Sequence, residues 1–226
     1  RNQSSYVNVA TTASIDVNTR LLTVFVEAYY TGNSPVSSNR LNVALLQNNT
    51  LGPQTSGGLG DNYPHQHRLV HMLTGQWGDT YTTTTAGTLI TRTYTYTIPA
   101  AYNSIPAELG NFEIVAFVAE SQQKIISGNG TVPTYTGLNA NDAKIKEVIE
   151  IAEQCVTSLQ PKVEIQNNGQ NNLTSLPITY DINGGTPQVF NWTGNLSSLA
   201  KTTVTLPSIT YSLQANNNLN VSIPAD

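Results

Sequence analysis

Ionisable side chains are scarce. Asp, Glu, Lys and Arg make up 11% of the 226 residues, against roughly 25% in an average soluble domain. Ten Lys and Arg spread along the chain supply no clustered basic footprint, so no nucleic-acid partner is expected. A net charge of -4 with 38% apolar residues also excludes a disordered polyelectrolyte, which needs more charge and less apolar surface. Cysteine occurs once, at Cys155, so no disulfide forms within the chain. Three readings of Cys155 stand: a small buried side chain, half of a pair whose partner lies outside this sequence, or a nucleophile. The last lacks a basic neighbour in sequence to lower its pKa. No stretch approaches the ~20 apolar residues of a membrane-crossing helix, so the chain is expected not to span a membrane. Arg1-Asn2-Gln3-Ser4-Ser5 carries no signal-peptide apolar region. The last residues, Leu219-Asn220-Val221-Ser222-Ile223-Pro224, read as a strand with nothing after it, and a fragment is expected.

What the chain has instead is small polar residues: 30 Thr, 25 Asn and 17 Ser, 72 of 226. Its surface is solvated by hydroxyls and amides rather than ions. Period-two alternation dominates the apolar pattern. Leu22, Val24, Val26 and Ala28 fall on one face of a strand, with Thr23, Phe25 and Glu27 on the other. Thr93-Tyr94-Thr95-Tyr96-Thr97-Ile98 sets aromatics and Ile against threonines, a pattern suited to a half-buried pleated surface. Ile114 to Ala119 and Val43-Ala44-Leu45-Leu46 are apolar on both faces, as in central strands. Turn signals punctuate them at Thr31-Gly32-Asn33-Ser34-Pro35, Ser127-Gly128-Asn129-Gly130 and Asn183-Gly184-Gly185. Many short strands at this spacing predict a sandwich of antiparallel sheets.

Two segments depart from the pattern. Pro64 to Leu73 opens with Pro at a first helical position and places Leu69, Met72 and Leu73 at helical spacing. It predicts one short helix on a long loop from about Gln47 to Asp79, and loops of that length tend to be functional. In Asp142 to Gln154, Ile145, Val148, Ile149 and Ala152 fit a helix, whereas Ala143, Ile145, Ile149 and Ile151 fit a strand. Periodicity mildly prefers the helix.

From Asp142-Ala143 onward the sequence resembles an immunoglobulin-like repeat of secreted proteins from Bacteroidota-type bacteria. The matching string runs through Cys155, Pro161-Lys162-Val163-Glu164-Ile165-Gln166-Asn167-Asn168-Gly169 and Leu173-Thr174-Ser175. It continues through Ile178-Thr179-Tyr180-Asp181-Ile182-Asn183-Gly184-Gly185, Trp192-Thr193-Gly194-Asn195-Leu196 and Thr203-Val204-Thr205-Leu206-Pro207. The resemblance implies that Asp142-Ala143 opens a first strand, so strand is taken over helix there. The repeat's Asn- and Asp-rich last strand is missing, which implies truncation at the C-terminus.

Residues 1–140 resemble the 28-kDa outer-membrane-protein family of the same bacteria. The pieces are Leu41-Asn42-Val43-Ala44-Leu45, Gly52-Pro53-Gln54, Tyr63-Pro64-His65-Gln66-His67, Met72-Leu73-Thr74-Gly75 with Trp77-Gly78, and Val115-Ala116-Phe117-Val118. The chain departs from that family at Gln47, where an acidic residue is usual, and at Val70, where Arg is usual, although Arg68 stands two positions away. The resemblance implies an outer-membrane, periplasm-facing or extracellular location and, in relatives, a preceding thioredoxin-like domain. The combined expectation is an all-β chain of two antiparallel β-sandwich (immunoglobulin-like) domains, 1–140 and 141–226, with one short helix on the long loop.

The strongest chemical candidate is His65-x-His67-x3-His71, which holds all three histidines. On a helix His67 and His71 share a face, the spacing zinc uses when a third ligand converges. Asp61 and Asp79 are candidate added ligands. The alternative is histidines that hydrogen-bond the backbone and pin the loop, and that reading is preferred. No cofactor is expected. There is no Gly-x-Ser-x-Gly elbow, and Gly57-Gly58-Leu59-Gly60 lacks the flanking strand and helix of a phosphate loop. No carboxylate pair stands out for glycoside hydrolysis. Tyr29, Tyr30, Tyr81, Tyr94, Tyr96 and Tyr102 are either a sugar-stacking platform or, by their alternation, core. The expected role is a non-enzymatic envelope module for adhesion, assembly or domain presentation. Its partner is a protein or glycan at the cell surface, or a neighbouring domain of the same polypeptide. The alternatives are accessory domains of a thioredoxin-like redox protein or a carbohydrate-binding module. Any ligand site is expected on the long loop, around His65, His67, His71, Asp61 and Trp77. Leu69, Met72 and Leu73 are expected to plug one end of the sandwich.

Overall fold

Alternation along residues 21–30 buries every second side chain: Leu22, Val24, Val26, Ala28 and Tyr30 are inaccessible or nearly so, while Leu21, Phe25 and Tyr29 are exposed. The computed structural model describes residues 5–56, 58–149 and 156–224, and the chain splits into two compact units, Arg1–Gly137 and Leu138–Asp226. The first unit begins with β1 (Val7–Asp16), β2 (Leu21–Tyr30), β3 (Asn39–Gln47), β4 (Thr50–Gly52), β5 (Tyr63–His65), β6 (Arg68–Met72) and β7 (Asp79–Tyr81). It continues with β8 (Leu89–Thr97), β9 (Ala101–Tyr102), β10 (Ile105–Pro106), β11 (Phe112–Ala119), β12 (Ile125–Thr131) and β13 (Thr134–Thr136).

One sheet has the order β13-β1-β2-β8; the other runs β12-β11-β3-β6, with β7 also paired to β3. The pairing of β1 with β13 is parallel, Ser14 to Asp16 against Thr134 to Thr136, whereas β1 with β2 and β2 with β8 are antiparallel. The buried faces of β2, β3 and β11 form one core that includes Val24, Leu45, Phe112 and Ile114. On β8 the alternation holds: Tyr94 and Tyr96 pack against that core, and Thr93, Thr95 and Thr97 are exposed. On β11 one face is fully buried and the other, with Val115 and Phe117, only partly.

The short helix expected over Pro64–Leu73 is absent: these residues form β5 and β6. His67 sits at φ 55°, which turns the chain between the two strands. β6 then pairs with β3 as Ala44↔Met72, Leu45↔His71, Leu46↔Leu69 and Gln47↔Arg68, with an irregularity between Leu45 and Leu46. Val70 is the extra residue of that bulge. It shifts the period-two phase by one and leaves Leu69, Met72 and Leu73 at a spacing that mimics a helix. Leu69, expected in the plug, is 56% exposed; Val70 and Leu73 take the core contacts.

The second unit contains β14 (Ala143–Val148), β15 (Ser158–Leu159), β16 (Lys162–Asn167) and β17 (Leu173–Ile182). After these come β18 (Gln188–Leu196), β19 (Lys201–Thr205), β20 (Ile209–Thr210) and β21 (Leu219–Ser222). Its sheets are β14-β16-β19 and β18-β17-β21, with a β15–β20 ribbon. They enclose Val163, Ile165, Ile178, Tyr180, Val204 and Leu206. The start of the Asp142–Gln154 segment is a strand, while Glu150 to Gln154 and Cys155 lie outside the described residues. At the end of β16, Asn167 is 1% exposed. Its amide donates to Asn171 O and Leu196 O, both at 2.8 Å, and its Oδ1 accepts from Gly169 N at 2.9 Å.

Candidate functional site

The Gln47–Asp79 excursion is built on the edge of the β3 sheet. From the end of β3, the chain makes a β4–β5 arm, Thr50↔His65 to Gly52↔Tyr63, then returns along β3 as β6. Asp61 lies exposed in a single 3-10 turn, Gly60–Asn62, at the arm's far side. On β5, the His65 ring packs edge-on against Tyr63, with centroids 5.1 Å apart. His67 sits beside the end of β3, where Asn48 Oδ1 accepts its N–H at 2.7 Å and its Nδ1 lies 3.0 Å from Glu113 Oε2.

His71 is further along, opposite Leu45, and stacks on Tyr96 at 4.0 Å and 11°. That stack joins the edge strands of the two sheets. Trp77 is at the other end of β3, where its carbonyl accepts from Arg40 Nη1 at 3.0 Å and its ring is 51% exposed. Arg40 and Gln47 are seven residues apart, roughly 20 Å of strand. The arm with Asp61 and His65, the His67 corner, the His71 stack and Trp77 are therefore strung along β3, each with its own partners. Asp79, the other candidate ligand, accepts from Tyr94 OH at 2.7 Å. Among the described residues no group of three or more His, Cys, Asp or Glu is arranged to hold a metal.

A polar network beside the His71 stack joins Gln47, where the sequence departs from the family pattern, and Arg68, two positions from the other departure at Val70. Arg68 reaches Gln47 Oε1 at 3.4 Å and Tyr102 O at 3.2 Å. Gln47, 2% exposed, donates to Pro106 O at 2.7 Å, and Tyr102 OH donates to Tyr96 OH at 3.2 Å. Gln47 thus meets a guanidinium, but one carried by Arg68 instead of position 70, which the bulge occupies with Val70. Gln47 is a neutral amide, so its contact with Arg68 is a hydrogen bond that ties β3 to β6 rather than an ion pair. Gln47 and Arg68 are directly paired across β3 and β6, a register that the bulge at Val70 hides from sequence alternation.

Of the tyrosines, Tyr30 and Tyr81 are buried, Tyr94, Tyr96 and Tyr102 are half-buried against the core, and Tyr29 is 46% exposed. Burial raises the phenol pKa of Tyr30, Tyr94 and Tyr102.

Burial also holds the His71 imidazole below its ordinary value. The unfolded chain therefore takes up a proton at higher pH than the fold does, and stability falls as pH drops below the ordinary value of about 6.5. We expect the urea midpoint to decline over that window more steeply in the unaltered chain than in His71→Phe, which keeps a ring against Tyr96. Equal slopes would show that His71 titrates as it does in the unfolded chain.

The Trp77 turn is fixed by Gly78, at φ 71°. A Cβ there would lie 2.6 Å from Asn42 Oδ1 and 2.7 Å from Leu41 O. Gly78→Ala is expected to cost about 2–3 kcal/mol through backbone strain and the clash, read as a lower urea midpoint.

Among solved structures, HBP35 of Porphyromonas gingivalis is similar at 13% identity and a TM-score of 0.49, covering 84% of this chain and 64% of that one. The chain thus spans less than two thirds of HBP35. A domain of the outer membrane lipoprotein Omp28 from Porphyromonas gingivalis is similar at 17% identity and a TM-score of 0.40, covering 58% and 98%. No curated protein sequence matches. The family described as outer membrane protein Omp28 matches residues 1–132. Spanning more than half of the chain, that match makes it a member of the Omp28 family, a protein of the outer-membrane envelope.

Proposed function

We propose that this chain is a non-catalytic contact module of the outer-membrane surface, working in adhesion or assembly through two units, 1–140 and 141–226. The carrying observation is the dispersal of the chemistry-bearing residues: His65, His67 and His71 are each held by a different neighbour. The same excursion leaves Leu51, Leu59 and Trp77 more than half exposed. Scaffolds that carry function on loops present such side chains to partners. The second unit is read as an immunoglobulin-like repeat. Its support is the three-on-three arrangement of strands around Ile165 and Ile178, together with the Pro161–Gly169 string that forms β16.

A glycan array probed with the full chain tests the reading. Trp77→Ala is expected to weaken the array signal while leaving the melting temperature unchanged, because the ring covers no core. Zinc supplies the opposing outcome. A rise in melting temperature with zinc, lost when His67 and His71 are both changed to Ala, would replace the contact module with a metal centre.

A further inference from the structure

Sheet edges expose unpaired backbone groups, and folded proteins blunt them by bulges, lysines, prolines or shortness. Most edge strands among the described residues carry such a device. β6, β12, β14 and β18 each contain a register irregularity, and β14 adds Lys144 and Lys146. β7 and β13 have three residues, β19 five and β21 four. β8 pairs with β2 over nine residues without irregularity; its other side is an edge with Arg92 as its one charge.

The outward groups of β8 follow from its ends. Tyr30 N donates to Thr88 O at 2.9 Å and Ile98 N donates to Arg20 O at 3.0 Å. Even-numbered residues therefore point their backbone groups at β2, and Leu89, Thr91, Thr93, Thr95 and Thr97 point theirs away. We propose that this edge pairs antiparallel with β8 of a second copy of the chain, about a two-fold axis at Thr93. That register opposes Leu89 with Thr97, Thr91 with Thr95 and Thr93 with itself, all hydrogen-bonded pairs, and keeps all nine residues in the ladder. On the other side chain face it sets Arg92 beside Tyr94 and Ile90 beside Tyr96. Cross-strand threonine pairs and a cation over an aromatic ring are both favourable. Sliding by two residues in one direction places Arg92 opposite Arg92, which like charge disfavours. The contact is isologous, so it closes at two copies rather than growing into a fibre. Arg92 Nη1, which donates to its neighbour Thr91 O at 2.8 Å, exchanges that exposed bond for the Tyr94 ring.

Sedimentation velocity of the full chain over a concentration series is expected to show a monomer–dimer equilibrium. Thr93→Pro removes an outward N–H without touching the β2 ladder, and Thr93→Lys sets two ammonium groups together at the axis. Both are expected to sediment as monomers with the strand-rich dichroism of the unaltered chain. In a Cys155→Ser background, Thr93→Cys is expected to form a disulfide dimer on oxidation, since hydrogen-bonded antiparallel pairs lie about 5.5 Å apart, within disulfide reach. Thr97→Cys, whose copies are eight residues out of register, is expected to stay reduced. A chain monomeric at millimolar concentration overturns the proposal. So does a dimer that survives both first variants, or cross-linking by Thr97→Cys but not Thr93→Cys. Each of these readouts is independent of glycan binding and of Trp77.

Discussion

Asn167→Asp is expected to destabilise the second unit by about 4 kcal/mol at neutral pH, although it changes one atom. The native amide donates to Asn171 O and Leu196 O and accepts from Gly169 N. A carboxylate keeps the acceptor but turns the donor end into an anion 2.8 Å from two carbonyl oxygens, in a site 1% exposed. Stranded buried polar groups cost about 1–3 kcal/mol each, more when charged. The carboxyl escapes part of that penalty by holding its proton, so its folded pKa rises. Stability is then partly regained as pH falls through that raised value, and lost as pH climbs above it. One carbonyl still lacks a donor when the acid is protonated, so recovery is incomplete. Asn167→Leu, which leaves all three backbone partners unpaired, is expected to cost a similar amount with no pH dependence of its own. The two tryptophans lie one in each unit, so urea unfolding followed by Trp192 fluorescence in a Trp77→Phe background reads the second unit directly. A pH-independent loss in the Asp variant would mean that water reaches Asn167 on opening.

In the first unit the corresponding expectation is a loss of about 4 kcal/mol for Tyr30→Ala, in the range for deleting a buried aromatic side chain. Tyr30 is inaccessible, stacks on Tyr6 at 6.1 Å and meets Tyr81 edge-on at 6.3 Å. Its hydroxyl donates to Asn39 Oδ1 at 3.0 Å and lies 2.8 Å from Tyr81 OH. From Asn39 the network runs through Tyr6 OH to Glu120 Oε1 at 2.8 Å, and Lys124 holds that carboxyl below its usual range. Tyr30→Phe keeps the ring and removes only the hydroxyl, and is expected to cost about 1–2 kcal/mol. Calorimetry separates the two: the transition assigned to the first unit falls strongly in the Ala variant and slightly in the Phe variant. Equal shifts would place the stabilisation in the hydroxyl network rather than in packing.

Legibility in the sequence followed the regularity of the strands. β2 and β8 keep an unbroken period of two, so Leu22 to Ala28 and Tyr94 to Ile98 announced both strand and face. β6 does not, because Val70 is inserted at a bulge, and one added residue turns an alternating pattern into one with helical spacing. His67 hid the turn, since only its left-handed backbone, not its side chain, separates β5 from β6. The candidate histidines are neighbours in sequence, and helical spacing would cluster two of them on one face. Once their segment is a strand laid along β3, the same spacing spreads them over its length. Asn39 and Asn167 were invisible for another reason: in a chain with 25 asparagines, composition cannot distinguish a buried three-bond amide from a solvated one.

The parallel clasp between β1 and β13 governs how the first unit answers to mechanical load. Its opening strand and its closing strand lie side by side and run in the same direction. Tension between the unit's two ends therefore drags them past each other in shear. The bonds across the clasp, Val17 N to Thr136 O at 3.0 Å and Thr134 Oγ1 to Ala13 O at 3.3 Å among them, then bear force together instead of opening one after another like a zipper. Forced rupture is governed by the unfolding rate rather than by equilibrium stability. A three-residue clasp loaded in this way makes the unit yield abruptly at one threshold, so that under a pull it behaves as a fuse and not as a spring.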